Sequence, residues 1–173
     1  TKQRIQIENP VDSHDALGHE ILFQHLNSFG IDYEDSTLIH HGKSSEVDID
    51  LRDANDLLPP LAAILALSGG GRLRGAAHAK HKESNRILSA KALLESFGLS
   101  ATIEDDGLSI EGEQSLSKPN SLVDTHADHR IQMTAVLLAT QTGATVEGPR
   151  LHRIADPDFL TRLSAMPSEV LVK

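Results

Sequence analysis

"LNSFGIDYEDSTLIHHG" (26–42) and "LESFGLSATIEDDGLSIEG" (94–112) are two versions of one pattern. "L-x-SFG" recurs 68 residues apart. After a two-residue insertion, "ED" at 34–35 meets "ED" at 104–105, and Leu38 and Gly42 meet Leu108 and Gly112. The match continues at a spacing of 72, where "DLLPPLAAILALSGG" (56–70) lies over "DHRIQMTAVLLATQT" (128–142). Asp56 then falls on Asp128, Ala63 on Ala135 and Leu65 on Leu137. An internal repeat constrains architecture more than any single element does.

Each copy reads as helix, strand, strand, helix, strand. The first helices carry apolar residues at helical spacing, Leu17, Ile21, Leu22 and Leu26 in one copy and Ile87, Leu88, Leu93, Leu94 and Phe97 in the other. Gly30 and Gly98 stand just past their ends, where a C-terminal cap belongs. "TLIHH", "VDIDL", "TIED" and "LSIEG" read as short strands between turn residues. The second helices, about 57–68 and 129–142, are apolar almost all round, which predicts burial on most sides. Pro59 and Pro60 suit a first helical turn, whose amides lack partners anyway. "GRLRGAA" and "ATVEGP" are the expected closing strands, and "RIQIENPVDSHDALGHE" at the front begins with another. Apolar helices beside strands of alternating polarity predict helices inside and sheets outside. The expected class is α/β, one domain over 1–173, with two repeats of about 70 residues and a partial third that opens after Gly148.

Composition narrows the function. Apolar residues at 39% are enough for a core, and aromatics at 3% leave that core aliphatic. So few aromatics disfavour stacking on single-stranded nucleic acid, and a net charge of -9 disfavours a duplex footprint. With no cysteine, disulfide scaffolds and thiolate metal sites are excluded. The longest apolar run, "LLPPLAAILAL" (57–67), is too short to span a bilayer. No signal segment is read at the front, so the expectation is a cytoplasmic protein without nucleic-acid or membrane partners. The first residue is Thr1, which suggests a processed chain or a piece of a longer one.

Against that acidic background "KHKESNRI" (80–87) gathers Lys80, Lys82 and Arg86 around Glu83 at what reads as a helix start near residue 82. Free amides and a partial positive charge at a helix start favour anions, and the added cations strengthen the effect. "DTHADHRIQM" (124–133) sets Asp128, His129 and Arg130 at the mouth of the other copy's apolar helix, and Asp56 occupies the matching place before 57–68. Three helix mouths therefore carry chemistry. A histidine metal site is the competing reading, from "HAKH" (78–81), "HADH" (126–129) and adjacent His40 and His41, but no carboxylate set completes it in the sequence.

"DLLPPLA" (56–62), "KESNR" (82–86), "DG" (106–107), "DHRIQM" (128–133) and "PDF" (157–159) follow, in order, the motifs of the 5-enolpyruvylshikimate-3-phosphate (EPSP) synthase family. The chain resembles the C-terminal part of such enzymes. The resemblance implies a fold of repeated βαβαββ units and transfer of the enolpyruvyl group of phosphoenolpyruvate to the 5-hydroxyl of shikimate 3-phosphate, without a metal or other cofactor. It implies Asp56 as the base for the attacking hydroxyl and Glu83 as the group that gives and removes a proton at the methylene carbon. Lys82 would contact shikimate 3-phosphate, Arg86 and Arg130 would hold the phosphoenolpyruvate carboxylate, and Lys80 and His129 would line the same site. Where the family carries a basic residue before its last motif this chain has Ile154, and neighbouring Arg153 is the expected substitute. The Asp56–Glu83 spacing is one residue shorter than the family's. Because the family's site lies between two domains, a complementing N-terminal half is an implied partner. A lone binding or regulatory domain is the alternative. The sister enzymes that act on a UDP-amino sugar share the fold but lack the "KES-x-R" and "DHR" pair.

Overall fold

A computed structural model describes residues 4–7, 12 and 17–165. The first strand, β1 (Arg4–Gln6), is followed by α1 (Leu17–His25), a 3-10 turn (Asn27–Phe29), β2 (Ile31–Glu34) and β3 (Thr37–His40). These strands make a three-stranded antiparallel sheet in the order β1-β3-β2. Asp35 and Ser36 both take positive φ between β2 and β3, the backbone twist that a tight two-residue hairpin demands. Gly30 caps the 3-10 turn at φ 83°, in the left-handed region that glycine enters at no steric cost.

A complete βαβαββ unit follows. It runs β4 (Val47–Asp50), a 3-10 turn (Asn55–Leu57), α2 (Leu58–Leu67), β5 (Gly70–Arg74), a 3-10 turn (Ala77–His81), α3 (Arg86–Ser96), β6 (Thr102–Glu104) and β7 (Gly107–Glu111). Its sheet has the order β4-β5-β7-β6, with β4 and β5 parallel and the remaining pairs antiparallel. The chain crosses from β4 to β5 through α2, as a parallel pair requires. Gly71, at φ 139° in β5, lets the two strands close, since a Cβ there would lie 1.9 Å from the Val47 carbonyl oxygen.

The next unit begins in the same sense. Val123 bridges Val146 in parallel, with α4 (His129–Thr142) between them, and a 3-10 turn (Leu151–Ile154) leads to α5 (Phe159–Ala165). The strand expected at "ATVEGP" is thus reduced, among the described residues, to one bridge at Val146.

In the larger unit the helices α2, α3 and α4 lie inside and the sheet outside. In α2, Leu58, Leu61, Ala62, Leu65 and Ala66 are wholly buried, and each leucine contributes about 1.5–3 kcal/mol by leaving water. They pack with Ile87, Leu93 and Leu94 of α3, Ile131, Ala135 and Leu138 of α4, and Leu73 and Leu108 from the sheet. The strands show the complementary pattern, with Arg72 and Arg74 pointing outward on either side of buried Leu73. The outer face is held by ions, where the Arg74 guanidinium donates to Asp48 and Asp50 at 2.7 Å each. Among the described residues no helix is long and apolar enough to cross a membrane.

Two local expectations are corrected. The helix expected from about residue 82 starts at Arg86. Asn85 caps it by accepting from the Leu88 amide, while residues 82–84 bend and send their side chains into a polar cluster. Leu88 is 52% exposed and does not join the apolar face that its spacing suggested.

Candidate active site

The three helix mouths meet. Arg86, the first residue of α3, is only 1% exposed, and its guanidinium is the centre of the cluster. Its Nε donates to Asp128 Oδ2 at 2.7 Å and its Nη2 to Asp128 Oδ1 at 3.3 Å. Nη1 donates to Asp56 Oδ1 at 2.5 Å, and Nη2 also donates to Glu83 Oε2 at 2.6 Å. One buried cation thus fixes carboxylates from the approaches to α2, α3 and α4. Charge-assisted hydrogen bonds of this length are roughly twice as strong as neutral ones, and the planar fork sets the carboxylates' relative orientation.

Asp128 anchors the arrangement from below. It is 0% exposed, caps α4 by accepting from the Arg130 amide at 2.8 Å, and accepts from the Ser84 hydroxyl at 3.0 Å. Burial pushes its carboxyl up, but the hydrogen bonds from Arg86, the Arg130 amide and Ser84 outweigh this and hold it below the usual carboxylate range. For Arg86 burial opposes the charge, while Asp128, Asp56 and Glu83 restore it and carry its pKa above the ordinary arginine value. The approach to Asp128 is strained, for His126 and Ala127 take φ of 50° and 54° in succession. Non-glycine residues in that region cost about 1–3 kcal/mol each and persist where surrounding contacts over-determine them. Here the His126 amide is tied to Asp124 Oδ1 at 2.7 Å.

Asp56 lies on the open side, 42% exposed, and gathers two further cations, Arg130 Nη2 at 3.2 Å and Lys82 Nζ at 3.5 Å. Burial raises its carboxyl, but the charges of Arg86, Arg130 and Lys82 prevail and hold it below the usual range. Asp56 is therefore ionised at neutral pH and can accept a proton. Glu83 is 44% exposed, with Oε2 on Arg86 and Oε1 facing His129 Nδ1 at 3.7 Å. Among the described residues the buried His129 Nδ1 and Arg130 Nε have no hydrogen-bond partner.

Of the residues singled out in the sequence, Asp56, Lys82, Glu83, Arg86, His129 and Arg130 come together, and Lys80 and Arg153 do not join their network among the described residues. Lys80 Nζ donates to the Asp105 carbonyl at 2.8 Å, in the β6–β7 turn. Arg153 is exposed on the 3-10 turn that packs against α4, beside Ile154 at 69% exposure. Two residues gain a role that the sequence reading did not give them. Asp128 holds Arg86, and Gln132 secures the 151–154 turn by accepting from the His152 amide at 3.1 Å and donating to the Pro149 carbonyl at 2.8 Å. The "DHR" motif already contained Asp128, but its partner lies 42 residues away. As for metals, Glu83, Asp128 and His129 bring possible ligand atoms within 4.8 Å, and none of the three histidine pairs of the competing reading forms such a group among the described residues. Arg86 already supplies the positive charge to two of those three, so a divalent cation would have to displace a buried guanidinium.

A βαβαββ unit with its helices inside, and an arginine-centred carboxylate cluster where three helices begin, place the protein in the enolpyruvyl transferase-like α/β class. The sequence profile of EPSP synthase (3-phosphoshikimate 1-carboxyvinyltransferase) matches residues 1–163. A 3-phosphoshikimate 1-carboxyvinyltransferase of Methanocorpusculum labreanum is 32% identical over 167 residues, covering 92% of this chain and 39% of the relative. The Methanothermobacter thermautotrophicus enzyme of the same name is 36% identical over 123 residues, 70% of this chain and 28% of its own. In fold, the EPSP synthase of Acinetobacter baumannii superposes with a TM-score of 0.69 at 23% identity, over 88% of this chain and 39% of that one. The chain belongs to the EPSP synthase family. It spans about two fifths or less of the length of these relatives.

Proposed function

We propose that this chain is the C-terminal portion of an enzyme that moves the enolpyruvyl group of phosphoenolpyruvate onto the 5-hydroxyl of shikimate 3-phosphate and releases phosphate. It would do so in the cytoplasm, on the route to aromatic amino acids, with the rest of the site supplied by an N-terminal half. The observation that carries this reading is the Arg86 guanidinium, which holds Asp56 and Glu83 at once. Two carboxylates fixed on one cation suit a reaction with two separate proton transfers.

In the addition step Asp56 takes the hydroxyl proton while Glu83 protonates the methylene carbon, giving a tetrahedral adduct that carries both substrates. In the elimination step Glu83 recovers a proton from the new methyl group as the carbon–oxygen bond to phosphate breaks. Asp56 passes the former hydroxyl proton to the departing phosphate, which restores both carboxyl groups to their starting states. Lys82 and Arg130 face the anionic groups; Arg86, which the resemblance also puts on the phosphoenolpyruvate carboxylate, is 1% exposed and in addition keeps the carboxylates in register. Preorganised cations of this kind stabilise developing charge without reorganising at the moment of reaction. Lys80 and Arg153 keep the contact with substrate phosphates that the resemblance gives them as a proposal, since neither joins the cluster among the described residues.

The test is phosphate release from the two substrates by this chain alone and after addition of the N-terminal half of a family member. Activity is expected only on mixing, and Glu83→Gln is expected to remove turnover, by at least a hundredfold, while substrate binding persists. A folded, mixed pair without activity would favour the lone binding domain. Turnover of a UDP-amino sugar instead would move the chain to the sister activity.

A further inference from the structure

The cluster is charge-balanced. Asp56, Glu83 and Asp128 face Lys82, Arg86 and Arg130, three carboxylates against three cations. Asp128 and Glu83 spend their charge on Arg86, and of the three acids only Asp56 reaches Lys82 and Arg130. Those two are the more exposed cations, 38% and 34% in their side chains, whereas Arg86 is sealed beneath. An anion entering from the open side therefore meets cations that already hold a carboxylate.

We propose that Asp56 is an internal competitor for anions: its carboxylate occupies the donors of Arg130 and Lys82 that a substrate carboxylate or phosphate must take, so it sets the site's affinity and its selectivity. This rests on the reading of Asp56 and Arg130 given under Proposed function and adds a second role for Asp56. The competition raises the threshold for entry. A weakly held monoanion such as acetate gains little by exchanging one carboxylate for another, whereas a ligand with a carboxylate and a phosphate engages both cations and prevails. The exchange also couples binding to chemistry. Once an anion takes Arg130 and Lys82, Asp56 keeps only Arg86, and a carboxylate with fewer neighbouring cations is a stronger base. The base becomes effective when the substrate is in place.

The sign of one substitution separates this from simple ligand contact. A carboxylate that binds substrate weakens binding when it is lost, and a competitor strengthens it. Binding of acetate, inorganic phosphate and phosphoenolpyruvate to the 173-residue chain is measured by titration calorimetry. Asp56→Asn keeps the shape of a side chain that is 42% exposed, so the fold is expected to survive, which circular dichroism checks. Phosphoenolpyruvate binding should tighten on the order of tenfold, equal to about 1.4 kcal/mol, and the gain for acetate should be as large or larger, so that selectivity falls. Asp53→Asn removes an equal charge nearby without freeing a guanidinium and should change affinity less than about twofold, as weak surface electrostatics predict. In an Arg130→Met background the gain from Asp56→Asn should largely vanish. Unchanged or weaker binding by Asp56→Asn overturns the proposal, as does equal tightening by Asp53→Asn or binding by neither protein. Failure of the mixing experiment with tightening intact would instead discard the catalytic reading alone.

Discussion

Asp128 carries more of the cluster than any exposed member. It is wholly buried, and its charge is offset by a guanidinium that is itself 1% exposed. Removing one partner of such a pair leaves an uncompensated buried charge, which costs about 3–5 kcal/mol. Asp128→Asn should therefore lower stability by that amount in urea denaturation, with a Tm drop on the order of 6–20 °C. A change below about 1 kcal/mol would show that Arg86 is held by Asp56 and Glu83 instead. The pH dependence has a definite sign. Because the folded-state pKa of Asp128 is depressed, its contribution is complete above the unfolded value of 3.8 and is lost as pH falls through the lower folded value. Wild-type stability should thus decline below about pH 4, and Asp128→Asn should flatten that decline. Which residues would form the cluster was largely legible in the sequence, because the "KESNR" and "DHR" motifs sit at helix mouths. Which of them is central was not, because burial of Arg86 follows from contacts 30 and 42 residues away in the chain.

Among the helices, α2 and α3 show how far periodicity reaches. For α2 the Pro-Pro start and the unbroken apolar run set both ends to within a residue or two, since no face of such a helix tolerates water. The start of α3 was misplaced because "KHKE" has helical composition while its side chains are engaged elsewhere, and Asn85 is the residue that begins the helix. Leu88 fitted the spacing of an apolar stripe, but a leucine at one edge of a stripe is buried only if a neighbour covers it. Two identical substitutions separate the cases. Leu65→Ala, in the middle of α2 at 0% exposure, should cost about 2–5 kcal/mol through lost transfer energy and a cavity. Leu88→Ala should stay within about 0.5 kcal/mol. Equal shifts in urea midpoint would mean that the α3 surface is covered in solution, by a partner or by another copy.

At the scale of the molecule the two sheets are unequally supported. The four-stranded sheet contributes Ile49, Leu73, Leu108 and Ile110 to the core and is closed over by α2 and α3. Among the described residues, only Ile39 of the three-stranded sheet is buried, it lies outside the core cluster, and no residue of α1 is fully buried. The link between the halves runs through Phe29 of the 3-10 turn and through partly buried Ile21, Leu22 and Ile31. Opening the three-stranded sheet would expose little apolar surface, whereas opening β5 would disrupt the packing that also fixes the helix mouths. Local stability follows such differences in buried contact. The amides of Leu38 and Ile39 should therefore exchange with solvent through a partial opening, at a free energy well below that of Leu73 and Leu108, which should exchange only with global unfolding. Native-state hydrogen exchange at increasing urea distinguishes the two. The core amides should track the global denaturation curve, and those of β3 should show a weaker urea dependence. Convergence of all four on the global curve at low urea would show instead that the two sheets unfold as one unit, so that the three-stranded sheet supports the helix mouths as firmly as the core does.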